Sequence, residues 1–371
     1  MRYRAAPETA GQGRSIRLIH RQPAGLEDRG AVSRVVALLT HGDNVSEMMQ
    51  RLGLADADWL DLSTGVNPHA WAAPTPPLEV WQRLPDGRDG LEREASAYFG
   101  TESVLAVPGS QAALSLLPYL RSPSRVGVIA PGYGEHSAAW QRAGHEVVPL
   151  SSAQLAGGAG TAFDVLVLIN PNNPDGTLFE PQTLLDWRTG LASRGGWLVV
   201  DEAFIDAMPA YSVARHLPLP GLIVLRSIGK FFGLAGMRIG FALGEVALLQ
   251  RLEEMLGPWA VNGPARWVAR QALADRGWQE RMRARLVQES ERLGALLARY
   301  FPQRIVGTPL FRTVLTADAP VIHERLAREA ALVRLLDRQD GLRFGLPPDE
   351  AAWQRLERTL DRVVEPAISR P

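Results

Sequence analysis

The segment 222–243, LIVLRSIGKFFGLAGMRIGFAL, carries Lys230 in a run of glycines and apolar residues. A lysine is seldom fully buried without a partner, so an ammonium between Gly229 and Phe231 needs either solvent or a chemical role. The runs at the two ends, LIVLRS and IGFAL, are typical of strands that are buried on both faces. The segment therefore predicts two strands of a covered sheet and, between them, a loop with a chemical function.

Short apolar runs of the same kind occur upstream, and amphipathic stretches separate them. They are VLAV (104–107), VGVIA (126–130), DVLVLIN (164–170) and WLVVDEAF (197–204). This alternation predicts an α/β fold with a mainly parallel central sheet that helices cover on both faces. After Gly244 the periodicity becomes helical, with a few strands near 311–318 and 341–346, which indicates a smaller α+β C-terminal domain.

Four successive regions are expected along the chain. Residues 1–35 mix arginine, glycine and proline without periodicity, which is typical of a disordered extension, and an overlong gene start explains them equally well. Residues 36–75 are expected to form an N-terminal arm of the small domain, and 76–262 the large domain. Residues 263–371 are expected to contain a linking helix and the small C-terminal domain.

The composition restricts the classes of function. Lysine plus arginine equals aspartate plus glutamate at 40 each, so no basic surplus indicates nucleic acid or an anionic membrane as a partner. Cysteine is absent, which excludes disulfides, thiolate metal sites and a cysteine nucleophile, and no metal site is predicted. Since the chain lacks both a spanning apolar run and a signal peptide, we expect a soluble cytoplasmic protein that acts on a small molecule.

Polar residues follow the predicted strands at the points where each strand ends. In an open α/β sheet, ligands bind at the carboxyl ends of the strands, so these residues are expected to lie close together. Each alone has an ordinary explanation, such as a helix cap for Ser110, a turn for Asn173 or a structural salt bridge for Asp201. The residues are Ser110, Gln111, Tyr133, Asn173, Asp201, Ser227, Lys230 and Arg238.

Together these residues match the chemical groups of one ligand. They offer donors for a phosphate, an aromatic face for a flat ring, a carboxylate for a basic ring nitrogen and an amide for a hydroxyl. Pyridoxal phosphate contains all of these groups, and its aldehyde condenses with a lysine amine. This cofactor would explain Lys230, because the amine need not stay a buried ammonium once it carries the aldehyde carbon.

Three motifs resemble those of the fold type I pyridoxal-phosphate enzymes, the aspartate aminotransferase superfamily. They are S-x-x-K followed by R-x-G (227–240), NPNNPDG (170–176) and DEAF (201–204). The resemblance extends from about Leu60 to the C-terminus. It implies the fold of that superfamily, a pyridoxal-phosphate cofactor and a homodimer with active sites at the subunit interface.

The resemblance also implies a role for each residue of the predicted site. Lys230 would carry the cofactor and Asp201 would keep its ring nitrogen protonated, so that the ring withdraws electrons from the substrate. Asn173 would contact the phenolic oxygen of the cofactor, and Tyr133 would stack on the ring. The cofactor's phosphate would be held by Ser110, Gln111, Ser227 and Arg238.

The N-terminal motifs resemble one branch of the superfamily, which contains threonine-phosphate decarboxylase and histidinol-phosphate aminotransferase. The motifs are THGDN (40–44) and WLDLSTGVNPHAW (59–71). The resemblance implies decarboxylation of O-phospho-L-threonine to (R)-1-aminopropan-2-yl phosphate in cobalamin biosynthesis. Arg343 would bind the substrate carboxylate, where a planar fork of donors suits a planar anion. The other residues implied in substrate binding are Arg334, His41, Gly42 and Asn173.

Two positions depart from the superfamily pattern. Phe204 stands where D-E-A is usually followed by tyrosine, and Leu84 stands where many relatives have a tyrosine that reaches the phosphate of the neighbouring subunit. Fewer contacts to the cofactor are therefore expected.

Alternative functions differ in how far the residues support them. Transamination of a phosphorylated amino acid stays open, because the bond that breaks is the one held perpendicular to the cofactor ring, and a sequence does not give that angle. A catalytically inactive binding protein would not require Lys230, Asp201, Asn173 and Arg238 together. A dinucleotide-dependent dehydrogenase is excluded because GLAGMRIG (233–240) lacks the G-x-G-x-x-G spacing directly after a strand.

Overall fold

A computed structural model of the chain describes residues 45–54 and 57–364. Two β-sheets with packed helices form this part of the molecule. The expected extension over 1–35 lies outside the described residues, as do His41 and Gly42. The predicted domain limits and these residues therefore stay predictions.

The strands are named here in chain order. They are β1 (Leu60–Leu62), β2 (Val104–Val107), β3 (Arg125–Ile129), β4 (Glu146–Leu150), β5 (Val165–Ile169), β6 (Trp197–Asp201), β7 (Leu222–Ser227), β8 (Gly240–Leu243), β9 (Ile305–Thr308), β10 (Phe311–Leu315), β11 (Ala331–Leu335) and β12 (Gly341–Gly345).

The helices are also named in chain order. They are α1 (Val45–Leu52), α2 (Leu78–Gln82), α3 (Leu91–Phe99), α4 (Ser110–Leu116), α5 (Glu135–Arg142), α6 (Ser152–Ala156), α7 (Pro181–Ala192), α8 (Val246–Leu256), α9 (Gly263–Ala274), α10 (Arg276–Ala298), α11 (Ala319–Arg328) and α12 (Glu350–Val363).

The large sheet has seven strands in the order β2-β8-β7-β6-β5-β3-β4. The strands from β4 to β7 run parallel, and β8 lies antiparallel to both β7 and β2. The predicted mainly parallel central sheet is thus confirmed. The apolar runs did not predict β4, because this edge strand contains Pro149 and buries only Leu150.

Both faces of the large sheet are covered. All five residues of β5 are buried, and the first four alternate between two separate apolar clusters. Leu166 and Leu168 belong to one cluster, while Val165 and Val167 belong to the other. Because neighbouring side chains of a strand point to opposite faces, this alternation shows an apolar layer on each side of the sheet.

The small sheet has the order β1-β11-β12-β10-β9 and combines the two ends of the described chain. β1 lies parallel to β11, with Leu60 opposite Ala331, and the other pairs are antiparallel. The predicted strands near 311–318 and 341–346 are β10 and β12, so the smaller α+β unit is confirmed.

The predicted linking helix consists of two helices, α9 and α10, which corrects the expectation of a continuous element. The break falls at Asp275, whose carboxylate accepts a hydrogen bond of 3.0 Å from the backbone N–H of Trp278 and so caps α10. Apolar periodicity runs through both helices and does not reveal such a break.

The loop that carries Lys230 is held by two phenylalanines. Phe231 and Phe232 are both fully buried, and the ring of Phe232 stacks on Trp278 of α10 with centroids 5.5 Å apart. The apolar neighbours of the lysine therefore fix the main chain of the loop. Lys230 itself is directed to the edge of the sheet.

Among the residues described, no helix is long and apolar enough to cross a membrane. The expected cytoplasmic location stays a prediction.

Candidate active site

Asp201 ends β6 and is almost completely buried, with 5% of its surface exposed. Its Oδ1 accepts a hydrogen bond of 3.0 Å from the backbone N–H of Ala203, and its Oδ2 lies 2.9 Å from Nε2 of His136. A buried carboxylate is stabilised by such partners. The carboxylate is thus oriented by its own turn and by a histidine at the start of α5.

His136 is a site residue that the sequence analysis missed. Its ring is buried and lies edge-on to Tyr133, with centroids 6.2 Å apart. The only signal in the sequence is its spacing of three residues from Tyr133, which places both side chains near the first turn of one helix. The structure therefore adds the imidazole of His136 as a polar partner of Asp201.

Tyr133 follows β3 and lines the cavity described below. Its hydroxyl donates a hydrogen bond of 3.0 Å to Oε1 of Gln111, the second residue of α4. Burial, with smaller contributions from Glu135 and Asp201, raises the pKa of Tyr133 to about 12. The phenol therefore stays neutral near pH 7.

The residues that are predicted to bind the cofactor's phosphate come together where β2 and β7 end and β8 begins. Ser227 lies opposite Gly240 in the β7–β8 ladder, and a Cβ added to Gly240 would lie 2.6 Å from the backbone nitrogen of Ser110. A Cβ on Gly109, which has a φ of +72°, would lie 2.8 Å from Nη2 of Arg238. Only glycine fits at these two positions, and this lets the segments that carry Ser110, Ser227 and Arg238 approach each other closely.

Ser110 is the first residue of α4, and Gly109 precedes it as the capping position without a side-chain cap. The ordinary explanation of Ser110 as a helix cap is therefore wrong. Its hydroxyl does not cap the helix, so this hydroxyl and the backbone N–H groups of Ser110 and Gln111 can donate to an anion, whereas the N–H of Ala112 donates to the carbonyl oxygen of Gly109.

Lys230 lines a cavity of about 350 Å³ at the carboxyl edge of the large sheet. Nζ lies 5.6 Å from the centre of the Phe204 ring, which forms part of the cavity wall. Burial, followed by the positive charge of Arg343, lowers the pKa of Lys230 from 10.5 to about 8, although Asp201 acts in the opposite direction. A large fraction of this amine is therefore neutral in mildly alkaline solution.

Arg343 enters the same cavity from β12. Its Nη1 donates a hydrogen bond of 2.6 Å to Oδ1 of Asn173, and its Nη2 donates one of 2.7 Å to the carbonyl oxygen of Ser63. These two contacts fix the plane of the guanidinium. Since Arg343 occupies the oxygen of the Asn173 amide, the Nδ2 group is the part of this amide that can serve a ligand.

Arg334 lies directly opposite Arg343 in the β11–β12 ladder, and both side chains line the cavity. Arg334 also contacts Asp337 on the exposed turn after β11, at 2.8 Å. Like charges at facing positions of two strands repel each other, and Asp337 offsets part of the charge of Arg334. The pair can therefore contact a ligand with more than one negative group.

The structure thus brings the predicted site residues together in two groups. One group lines the cavity and contains Lys230, Tyr133, Asn173, Arg334 and Arg343. The other lies against the strand ends next to it and contains Ser110, Gln111, Asp201, Ser227 and Arg238. Their chemical roles stay proposals, and His41 and Gly42 lie outside the described residues.

Asn172, the neighbour of Asn173, has a structural position. It is fully buried and its Nδ2 donates hydrogen bonds of 2.8 Å to the carbonyl oxygen of Pro131 and to Asp175. It therefore connects the loops after β3 and β5, and leaves the contact with the cavity to Asn173.

A comparison with protein families agrees with this fold. Residues 57–333 match the model of aminotransferase class I and II, and the chain belongs to this family. It is 49% identical over 330 residues to a threonine-phosphate decarboxylase of Pseudomonas aeruginosa, a match that covers 89% of this chain and 99% of that protein. A threonine-phosphate decarboxylase of a Sinorhizobium species is 39% identical over 335 residues, which cover 88% of this chain and 99% of that protein.

A solved structure shows the same fold. It is a histidinol-phosphate aminotransferase of Sinorhizobium meliloti in complex with pyridoxal-5'-phosphate, with a TM-score of 0.75 at 19% identity. The match covers 90% of this chain and 98% of that one. The fold type I architecture expected from the motifs is therefore confirmed.

The lowered pKa of Lys230 can be measured directly, because Lys230 is the only lysine in the chain. Only the neutral amine reacts with an acylating reagent, so in cofactor-free protein the labelling rate of Lys230 should rise with pH and reach half its maximum at about 8. Mass spectrometry of the peptide that contains Lys230 separates this reaction from that of the α-amine. Labelling with a midpoint near 10.5, the ordinary value, would contradict the burial of the amine.

Proposed function

We propose that this protein is a pyridoxal-phosphate-dependent lyase that decarboxylates O-phospho-L-threonine to (R)-1-aminopropan-2-yl phosphate in cobalamin biosynthesis. The observation that carries the proposal is the pair Arg334 and Arg343, which face each other beside Lys230 in one cavity. O-phospho-L-threonine has two anionic groups, a carboxylate and a phosphate, and each can neutralise one guanidinium. Relatives of this chain at 49% and 39% identity are threonine-phosphate decarboxylases over nearly their whole length.

The cofactor is pyridoxal phosphate, and the residues of the site fit its groups. When bound, it supplies an electron-withdrawing ring that accepts the electron pair of the bond broken at the substrate's α-carbon. Gly109 and Gly240 let the segments that carry Ser110, Ser227 and Arg238 approach each other closely, and these three residues can hold the phosphate.

Asp201 and Tyr133 would hold the ring. The two oxygens of Asp201 each have one donor within the protein, and their remaining lone pairs can accept the N–H of a protonated pyridine. A carboxylate next to the ring nitrogen favours its protonated form. Tyr133 would stack on the ring, with Gln111 fixing its hydroxyl and Asn173 donating through Nδ2 to the phenolic oxygen.

Lys230 would bind the aldehyde carbon and later move a proton. In decarboxylation the carboxylate leaves as CO₂, and one proton replaces it at the α-carbon. The Nζ of Lys230, whose pKa of about 8 lies close to working pH, can deliver that proton. Phe204, on the cavity wall, offers no hydroxyl at the position where relatives have tyrosine, so the cofactor's oxygen would depend on Asn173 alone for this contact.

Arg334 and Arg343 would orient the substrate. Arg343, held by Asn173 and Ser63, would bind the carboxylate, and Arg334 would bind the phosphate together with His41 and Gly42 as the sequence predicts. Two fixed anionic ends determine which bond at the α-carbon stands perpendicular to the ring. Decarboxylation requires the carboxylate bond in that position, whereas transamination requires the C–H bond there.

Product analysis tests this choice. With O-phospho-L-threonine and no keto acid, the enzyme should release CO₂ and an equal amount of 1-aminopropan-2-yl phosphate. The released gas and the amine are measured by a coupled carbonate assay and by mass spectrometry. Lys230→Ala is the control, and it should abolish both the products and the visible absorbance of the protein-bound cofactor.

Product formation that occurs only with added 2-oxoglutarate would overturn decarboxylation. The enzyme would then be an aminotransferase of a phosphorylated amino acid, the second candidate, which the histidinol-phosphate aminotransferase fold also accommodates.

The role of Arg334 predicts a selective effect on substrate binding. Arg334→Met should raise KM for O-phospho-L-threonine by about 10- to 100-fold, the usual value of a charge-assisted hydrogen bond, with a smaller change in kcat. Inorganic phosphate should inhibit the wild type and lose its effect on this variant. Arg362→Met removes an exposed arginine that pairs with Glu329 elsewhere, and serves as the matched control. An unchanged KM in Arg334→Met would exclude Arg334 from the phosphate site.

We further infer a homodimer, supported by an exposed apolar patch. Leu78 and Trp81 on α2, Leu84 after it and Trp259 before α9 are each more than half exposed. The backbone of α2 packs against the start of α9 at Gly263, so these side chains belong to one side of the molecule. Large apolar patches on a protein surface are typical of protein–protein contacts.

Sedimentation should give a mass of two 40.5-kDa chains for the wild type. The double variant Trp81→Glu with Trp259→Glu should shift the mass to that of a single chain. Val321→Glu places the same charge on an exposed apolar residue of α11 and should not change the mass. A monomeric wild type would contradict the inference.

A further inference from the structure

Residues 63–71, here called the strap, run alongside the loop that carries Lys230. Three consecutive carbonyl oxygens of that loop each accept a hydrogen bond from the strap. The backbone N–H of Asn67 donates to Lys230 at 3.0 Å, the side-chain Nδ2 of Asn67 donates to Phe231 at 2.7 Å, and the backbone N–H of Trp71 donates to Phe232 at 2.9 Å. The loop has no helical or strand hydrogen bonds here, so the strap takes their place.

Asn67 is the centre of this contact and is only 2% exposed. Its Oδ1 accepts a hydrogen bond of 2.9 Å from the backbone N–H of His69, so the orientation of the amide is fixed from within the strap. The approach is close, since a Cβ on Gly233 would lie 2.7 Å from both Cα of Ala70 and the carbonyl oxygen of Asn67. The strap and the loop therefore touch through their main chains.

The other end of the strap contacts the substrate side of the cavity. The carbonyl oxygen of Ser63 accepts the hydrogen bond from Nη2 of Arg343, and Ser63 is itself held by Oδ1 of Asp61 through its N–H at 2.9 Å and its hydroxyl at 2.7 Å. One short segment thus holds both the guanidinium of Arg343 and the main chain of Lys230. The distance between these two groups depends on its conformation.

The strap is fastened to the helices that link the two sheets. The indole N–H of Trp71 donates to Asp275 at 3.0 Å, and Nε2 of His69 lies 2.7 Å from Oε2 of Glu289 on α10. Asn67 and Trp71 thus link these helices to the loop that carries Lys230, and of the two, Asn67 donates to the loop through its side chain as well as its main chain.

We propose that Asn67 is a positioning residue for Lys230, which sets where the Nζ of that lysine lies relative to an anion held by Arg343. This inference rests on the role of Lys230 proposed above. Without the amide of Asn67, the buried carbonyl of Phe231 has no donor, and the main chain next to Lys230 must move to find one. A misplacement of about 1 Å at a reacting group can lower a rate about 100-fold.

The decisive variant is Asn67→Asp. It replaces Nδ2 with an oxygen of similar size, which does not donate to Phe231 as long as the carboxyl is ionised, so activity is compared at the alkaline end of the pH range. It keeps the oxygen that accepts from His69. We expect kcat to fall by about 10- to 100-fold with KM changed by less than about threefold, since Ser63 and Asn173 still hold Arg343. We also expect the dissociation constant of the cofactor, titrated by visible absorbance, to rise by about 10-fold.

Gln279→Glu is the matched control. Gln279 is another buried amide, 1% exposed, and its Nε2 donates to the carbonyl oxygens of Ala272 and Leu273 at 3.0 Å each, away from the cavity. The same exchange of amide for carboxyl there should lower the melting temperature without changing kcat or cofactor affinity. A purely structural role of Asn67 would give the same result in both variants.

Asn67→Ala gives a second measurement that needs no cofactor. In cofactor-free protein, the pH midpoint for acylation of Lys230 should move upward from its wild-type value, because a displaced amine gains solvent. This variant places no carboxylate against Phe231, so it decides the question if Asn67→Asp does not fold.

The proposal is overturned if folded Asn67 variants keep the wild-type kcat, cofactor affinity and labelling midpoint. Failure of the proposed function is distinguishable from this outcome, since it would appear in the wild type as an absence of bound cofactor or of the amine product.

Discussion

The burial of one primary amine among positive charges is the constraint around which this site is built. A pKa lowered from 10.5 to about 8 means that the cavity disfavours the charged form of Lys230 by about 3 kcal/mol. Arg343 and Arg238 add to the positive field at Lys230, and Asp337 on the cavity turn is exposed. Such a cavity is stable because the rest of the molecule holds its parts in place.

A cluster of buried ion pairs next to Asp201 provides part of that support. Glu202, the residue after Asp201, points away from the cavity and pairs with Arg226 at 2.9 Å, which in turn pairs with Asp206. Arg226 immediately precedes Ser227, so the cluster joins the end of β6 to the end of β7. Breaking such a buried pair leaves an uncompensated charge, which makes the relative positions of these strand ends difficult to change. The neighbouring carboxylates thus differ in their surroundings: Asp201 lies beside the cavity, whereas Glu202 forms an ion pair within the core.

The sequence was sufficient to predict the parts of the fold and site that depend on local pattern. The buried parallel strands have long apolar runs, and the residues after them meet at one edge because of topology, which made Asp201, Asn173 and Lys230 accessible to prediction. The half-exposed edge strand β4 and the helix break at Asp275 gave no comparable signal. His136 and Asn67 were missed because their importance lies in contacts between distant segments, 65 and 164 residues apart, which no local pattern records.

The basic residues of the chain show one further property. Apart from seven histidines, every basic side chain other than Lys230 is an arginine, and guanidinium groups do not form the imine that a lysine amine forms with an aldehyde. The aldehyde of the cofactor therefore has no competing amine on the surface, apart from the α-amine of the chain. The same distribution means that glycation of lysine side chains by aldehyde sugars, which in most proteins is spread over many surface lysines, has one target here, and bound cofactor protects it. Loss of the cofactor would therefore expose the one lysine amine of the chain to such damage.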